Sequence, residues 1–150
     1  VVINRSSIAV EILDIDYFKQ YNDNYGHQAG DDCIKFIAST LLELSKEDRI
    51  FTARYGGDEF VVIYEGFTKE EVENKVDNLR NMIYKANWEH RFSLSDDRVT
   101  ISQGICYGTP ESDTTLFAYL QLADEMLYEV KQETRNNYKI CDAAERNTKK

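Results

Sequence analysis

Two short acidic segments carry the groups in this chain best suited to chemistry, Asp14-Ile15-Asp16 and Gly56-Gly57-Asp58-Glu59. In the first, the alternation of an extended chain sends both carboxylates to one face. Tyr17-Phe18-Lys19 follow at a predicted helix start, where backbone N–H groups without intrahelical acceptors can receive an anion. In the second, two acids sit at a hairpin tip between Phe51, Ala53 and Tyr55 on one side and Phe60, Val61, Val62 and Ile63 on the other. The Gly-Gly pair suits the positive φ angles of a tight turn. A plain hairpin has the same flanks, but a carboxylate pair leading straight into an apolar strand is costly unless a cation neutralises it. Magnesium takes oxygen ligands, commonly one or two carboxylates together with substrate phosphates. If the strand ending at Asp14 lies beside the hairpin carrying Asp58, the segments converge where a triphosphate can dock. That layout suits metal-assisted phosphoryl or nucleotidyl transfer. The competing reading of the first segment is that Asp16 caps the helix and Asp14 is solvated.

The elements that must position these groups show as periodicities. Ile8, Val10 and Ile12 alternate with Ala9, Glu11 and Leu13, a first strand that ends at Asp14-Ile15-Asp16. A short helical turn from Tyr17 follows. Ile34, Ile37, Leu41 and Leu44 then mark an amphipathic helix starting near Gly30-Asp31. The second and third strands flank the Gly-Gly turn. Thr68 with Glu71 forms a capping box, and Val72, Val76, Leu79 and Ile83 give that helix a buried stripe. Val99, Ile101 and Ile105 mark a fourth strand; Leu116, Leu120, Ala123, Leu127 and Val130 mark a last long helix; Tyr138-Lys139-Ile140 close the order as a short strand. The order β-α-α-β-β-α-β-α-β predicts an α+β fold, ferredoxin-like or palm-type, with an antiparallel-dominated sheet flanked by helices. One domain over residues 1–141 and a polar, frayed tail over 142–150 are expected.

Composition narrows the partners. With 150 residues the chain is about one domain. A net charge of −9 argues against nucleic acid and against an anionic membrane surface. Cys33, Cys106 and Cys141 are odd in number and lack a C-x-x-C pair, so neither a disulfide framework nor a zinc site is indicated. No run has the length of a membrane span and no signal-peptide pattern is present, so a cytoplasmic location without direct membrane insertion is expected.

In order along the chain, Asp14 to Lys19, Asn22-Asp23, Gly26-His27, Gly30-Asp31, Arg54 to Phe60, Val99 to Ser102 with Gly104, Ala123-Asp124, Tyr128, Lys131 and Arg135-Asn136 resemble the pattern of the GGDEF domain family. The family comprises bacterial signalling enzymes, the diguanylate cyclases, which condense two GTP into cyclic di-GMP and two pyrophosphates. The resemblance covers Ile8 to Ile140 and implies the following roles. Asp14 and Asp58, with the backbone carbonyl of Ile15, resemble the ligands of Mg²⁺, for which Mn²⁺ can substitute. Asp58 is also similar to the group that helps deprotonate the attacking 3′-hydroxyl, and Glu59 to the second essential acid. Asn22 and Asp31 are similar to the guanine-reading pair; a carboxylate accepts from guanine's ring and exocyclic N–H donors, a donor pair that adenine lacks. A plain helix cap is the alternative for Asp31. The amides of Tyr17, Phe18 and Lys19 with the side chains of Lys131 and Arg135 resemble the triphosphate clamp. Asp16 is left with capping or support of the site; His27 matches a motif position without a catalytic role, and His90 matches nothing.

Because one such site holds one GTP, the resemblance implies a homodimer of facing half-sites, with a regulatory domain outside this chain. The family's helix and Asp-x-Leu-Thr-type motif before the first strand are expected to be lacking in the chain as given. The Arg-x-x-Asp motif of product inhibition is replaced by Glu47 and Ile50, which predicts that this inhibitory site is absent. Gln103 stands at a usually apolar strand position, and Thr134 replaces a Gly before the Arg-Asn pair; a packing change near the site and a small displacement of Arg135 are the expected effects. The alternative function is a catalytically silent GGDEF domain that binds GTP as an allosteric module.

Overall fold

The computed structural model describes residues 6–111 and 114–147. Strand β1 (Ile8–Ile15) leads into α1 (Phe18–Tyr25) and α2 (His27–Leu44), then the hairpin of β2 (Ile50–Gly56) and β3 (Glu59–Glu65). Helix α3 (Lys69–Ala86), strand β4 (Ile101–Gly108), helix α4 (Leu116–Glu133), strand β5 (Tyr138–Asp142) and a short helix α5 (Ala143–Asn147) complete the chain. The sheet order is β2-β3-β1-β4-β5, with β1 in the centre and antiparallel to both neighbours, while β5 joins β4 in parallel. This is the expected α+β class, a mostly antiparallel sheet flanked by helices.

The period of two along β1 separates two cores. Ala9, Leu13 and Ile15 belong to the layer formed with α2 and α3, whereas Val10 and Ile12 pack with Ala123, Met126 and Leu127 of α4. Because Asp14 and Asp16 continue the second set, the same alternation delivers both acids to the α4 side of the sheet. Strand β4 lets α4 approach closely at Gly104, where an added Cβ would lie 2.2 Å from the Ala123 oxygen and the Leu127 nitrogen. That contact sets the depth of the helix and, one turn further on, the position of Lys131.

Helix α3 starts at the Thr68–Glu71 capping box and buries Val72, Val76, Leu79 and Ile83, as the spacing predicts. Its cap is worth about 1 kcal/mol. Each of those side chains contributes roughly 2 kcal/mol of apolar burial.

Several boundaries differ from the sequence reading. Helix α2 begins at His27, directly after Gly26 at φ 92°, because this one glycine turns the chain between α1 and α2. Asp31 therefore lies inside α2 and is not its cap. Regular pairing in β4 starts at Ile101, since the amide of Val99 is drawn instead to the Trp88 carbonyl. Asp142 pairs with Tyr107 in β5, and Ala143 is buried at the start of α5, so the polar composition from Asp142 onward does not produce a tail there. Residues 148–150 of that expected tail lie outside the described residues.

Candidate active site

The acids meet at one end of the sheet. In register, Asp14 of β1 faces Glu59 of β3 on one side and Ser102 of β4 on the other. The β2–β3 turn places Asp58 beside them. Gly57 has the turn's positive φ, 21°, whereas Gly56 stays in β2 opposite Glu59 after a register shift. Arg54 braces the turn from below, donating from Nε and Nη2 to the Gly57 carbonyl at 3.0 and 2.6 Å.

Asp14 is 4% exposed, and its Oδ1 is buried with no hydrogen-bond partner. Its Oδ2 pairs with the Lys131 ammonium from α4. Burial pushes the Asp14 carboxyl up to about 7; Lys131 opposes this, and the charges of Asp58 and Asp16 add to it. Asp58 is raised by burial, with Lys131 and Arg54 acting against the shift. Glu59 is raised by burial and by Asp58, again opposed by Lys131. One lysine thus serves three carboxylates, and the site holds an excess of negative charge.

That imbalance fits a divalent cation. A buried carboxylate oxygen without a partner is costly, and hard cations prefer such oxygens. Among the described residues no group of three His, Cys, Asp or Glu side chains is placed to hold a metal by itself. Two carboxylates and nearby backbone could hold one only with phosphate or water in the remaining positions, a sharing that magnesium commonly accepts. The side chain of Ile15 is in the core, so its backbone alone can contribute.

Asp16 does not cap α1. The N-cap is Tyr17, in left-handed conformation (φ 55°, ψ 37°) and without a side-chain cap bond. Asp16 is fully buried and accepts from the hydroxyls of Thr100 and Ser102 at 2.7 and 2.6 Å and from the Asn136 amide at 2.9 Å. Arg135 lies 3.7 Å from it and stacks over the Tyr17 ring at 4.4 Å. The end of β1, β4 and the α4–β5 loop are therefore tied through one carboxylate, which the sequence reading left between two roles. The Thr100-Ile101-Ser102 hydroxyl pattern is the signal that finds it: alternation places Thr100 and Ser102 on one face, across from Asp16. Thr134 adopts φ −121°, which needs no glycine, and the left-handed residues are Arg135 and Asn136.

The remaining expected residues surround α1. Asn22 packs against Gly30, where a Cβ would fall 1.7 Å from Asn22 Oδ1, and that oxygen is buried without a partner. Asp31 follows Gly30 and is exposed. Phe18 and Lys19 form the first turn of α1, and the Lys19 side chain reaches Asp23 at 3.2 Å on the surface. Lys131 is engaged with Asp14, and Arg135 with Tyr17 and Asp16. Gln103 is not beside these acids but on the opposite face of the sheet, where its amide donates to Glu11 at 2.7 Å and to the Val76 carbonyl at 3.1 Å.

A mostly antiparallel sheet with acids gathered at one end and a lysine from the covering helix is the arrangement of a palm-type domain. The sequence profile of the diguanylate cyclase GGDEF domain matches residues 2–137. The chain belongs to this family, whose activity is nucleotidyl transfer. It is 30% identical over 138 residues to the probable diguanylate cyclase DgcT of Escherichia coli, covering 92% of this chain and 30% of that protein. It is 36% identical over 130 residues to the diguanylate cyclase VdcA of Vibrio cholerae, covering 86% and 38%. This chain thus spans about a third of the length of these relatives. Among solved structures, the coiled coil and GGDEF domain of DgcB from Caulobacter crescentus, in complex with c-di-GMP, superposes with a TM-score of 0.79 at 29% identity, covering 91% of this chain and 70% of that one. No helix among the described residues is long and apolar enough to cross a membrane.

Proposed function

We propose that this chain is the catalytic domain of a diguanylate cyclase, which condenses two GTP into cyclic di-GMP with release of two pyrophosphates. The observation that carries the reading is Asp14: a buried carboxylate oxygen without a partner, set beside Asp58 and facing the same lysine. Asp14, Asp58 and the Ile15 carbonyl would hold Mg²⁺, or Mn²⁺ in its place. The bound cation supplies charge stabilisation at the reacting phosphate and lowers the pKa of a coordinated hydroxyl.

The chain's own groups have distinct tasks. Asp58 accepts the proton of the 3′-hydroxyl; burial raises its proton affinity toward the range a general base needs. The hydroxyl oxygen forms a bond to the α-phosphorus of the other GTP, the bond from that phosphorus to the bridging oxygen breaks, and pyrophosphate leaves with the electron pair. Glu59 adds negative charge next to Asp58 and supports the cation's place. The amides of Tyr17, Phe18 and Lys19 at the start of α1 receive phosphate oxygens. Lys131 exchanges Asp14 for phosphate when nucleotide arrives, and Arg135 reaches it from its stack on Tyr17. Asn22 Oδ1 and the Asp31 carboxylate accept from guanine, and the absent side chain at Gly30 leaves room for the Asn22 carboxamide.

Two 3′-hydroxyls must each attack the other nucleotide, so two copies of the domain face one another as a homodimer. We place the protein in the cytoplasm, where GTP is available, under control of a regulatory domain outside this chain. The test is incubation with GTP and Mg²⁺ and chromatographic resolution of products, beside Asp58→Asn. Cyclic di-GMP from the parent and none from the variant is the expected result. GTP binding without product in both sinks the cyclase reading and leaves an allosteric GTP-binding module.

A further inference from the structure

His90 is fully buried, yet it lies in an irregular loop and matches no element of the family pattern. Its ring is 2.9 Å through Nε2 from the Tyr17 carbonyl, 73 residues away, and its Nδ1 is 3.3 Å from the Phe92 amide. A backbone amide can only donate, so Nδ1 accepts and Nε2 carries the hydrogen that goes to Tyr17. The same loop holds the rest of that helix face. Tyr17, Tyr21 and Tyr25 recur every four residues, and each has a partner from one short segment. Trp88 Nε1 donates to the Tyr21 hydroxyl at 2.9 Å, the Arg91 amide donates to the Tyr25 hydroxyl at 2.9 Å, and His90 takes Tyr17. The imidazole also meets the rings of Tyr21 and Tyr25 edge-on, at 5.1 and 6.2 Å between centroids. The segment is closed on itself by His90 N–H to Asp97 and Val99 N–H to Trp88.

Tyr17 needs such a hold. It is a non-glycine residue at positive φ, a conformation that is unfavourable for an L side chain. Its carbonyl accepts twice, from Tyr21 N–H at 3.1 Å as the first helical bond and from His90. A trans peptide is planar, with C=O and the following N–H antiparallel. Fixing the Tyr17 oxygen toward the loop therefore aims the Phe18 N–H in the opposite direction, out of the helix start. We propose that His90 is a positioning residue for the triphosphate: through the Tyr17 carbonyl it sets the peptide whose amide, with that of Lys19, receives the phosphate oxygens. The assignment rests on the GTP-site reading above.

The experiment measures Kd for GTP with a methylene α–β bridge, which cannot be condensed, and for GMP, which keeps guanine but lacks the β- and γ-phosphates. Wild type, His90→Leu and His90→Gln are compared by calorimetry. His90→Leu is expected to weaken the triphosphate analogue about tenfold, the scale of one hydrogen bond, while leaving GMP unchanged. His90→Gln, which retains an N–H near the Nε2 position, recovers most of the loss. Equal losses for both ligands, or none, overturn the assignment. On the wild type, nitrogen-edited NMR of the imidazole provides a measurement that no unfolded variant can spoil. The Nε2–H signal shifts and its exchange slows with the triphosphate analogue but not with GMP; an unchanged signal overturns the proposal. If the wild type binds neither nucleotide, the GTP-site reading fails first and takes this one with it, whereas normal wild-type binding with an indifferent His90 sinks this one alone.

Discussion

Replacing Glu11 by Gln is expected to remove a large part of the pH dependence of folding. Glu11 points from the centre of β1 into the α3 side of the sheet, where it is fully buried. Its carboxyl accepts from the Tyr64 hydroxyl at 2.5 Å and from the Gln103 amide at 2.7 Å. These two bonds favour the charged form, but burial outweighs them and raises the carboxyl from 4.5 to about 7. A raised native pKa means that the folded state binds the proton more tightly than the unfolded chain. Below pH 4.5 the group is neutral in both states and folding carries no penalty from its charge. As pH rises through 7, folding must accommodate a buried carboxylate, and stability falls. At about 1.4 kcal/mol per pH unit, the full difference is roughly 3 kcal/mol. That is a large share of the 5–15 kcal/mol typical of a domain.

Glutamine keeps the shape and one acceptor, donates to the Tyr64 oxygen, and cannot ionise. Urea unfolding of parent and Glu11→Gln at pH 5, 6, 7 and 8, without divalent metal, gives the difference in stability at each pH. Asp14, raised to about 7, adds a dependence of the same sign, but it is common to both proteins and cancels in the difference. The variant is expected to gain on the parent by about 2.5 kcal/mol between pH 5 and pH 8. The absolute offset at pH 5 is immaterial. A difference that stays flat across the range refutes the claim that Glu11 is forced to ionise inside the sheet, whatever the mean effect of the substitution.

Asp31→Ala is expected to lower the preference for GTP over ATP by about tenfold, read as competing Kd values; unchanged discrimination removes Asp31 from the guanine site. Added cyclic di-GMP is expected to inhibit little in steady-state assays. At the two positions that replace the inhibitory motif, Glu47 puts a carboxylate paired with Lys75 at 2.7 Å where the motif has a guanidinium, and Ile50 puts a buried apolar side chain where it has a carboxylate. Strong noncompetitive inhibition would refute the reading of Glu47 and Ile50 as the loss of the inhibitory site.

The order of elements and the convergence of Asp14 with Asp58 were legible because both follow from period. Alternation in β1 sends Asp14 and Asp16 to one face, and an apolar run of hairpin strands puts Asp58 at a sheet end. Helix starts were less legible. Apolar spacing reports where a helix becomes buried, so it located α2 at Gly30-Asp31, although its exposed first turn begins at His27. Long-range polar partners left almost no trace. Gln103 looked like an intrusion in an apolar strand because the residue that accounts for it, Glu11, is 92 positions away. His90 was illegible for the same reason: a lone histidine in a loop has no periodicity, and its meaning depends on a carbonyl reached only after the chain has folded.

These cases share a physical cause that also orders the site. Apolar burial is non-directional and additive along an element, so its pattern is written locally. A buried hydrogen bond needs two groups at one distance and angle, and the partner is wherever the topology returns. The end of β1 concentrates such returns: Asp14 meets α4, Asp16 meets β4 and the α4–β5 loop, and Tyr17 meets the loop before β4. Of the four consecutive positions from Asp14 to Tyr17, Ile15 points into the core and the other three are each fixed by distant segments. A strand end held from three sides cannot follow the fluctuations of any one of them, and it keeps Asp14, Asp16 and the left-handed turn at Tyr17 in register. On the proposed GTP reading, the same crowding predicts a site sensitive to residues with no proposed contact to the nucleotide, Asp16 and His90 foremost.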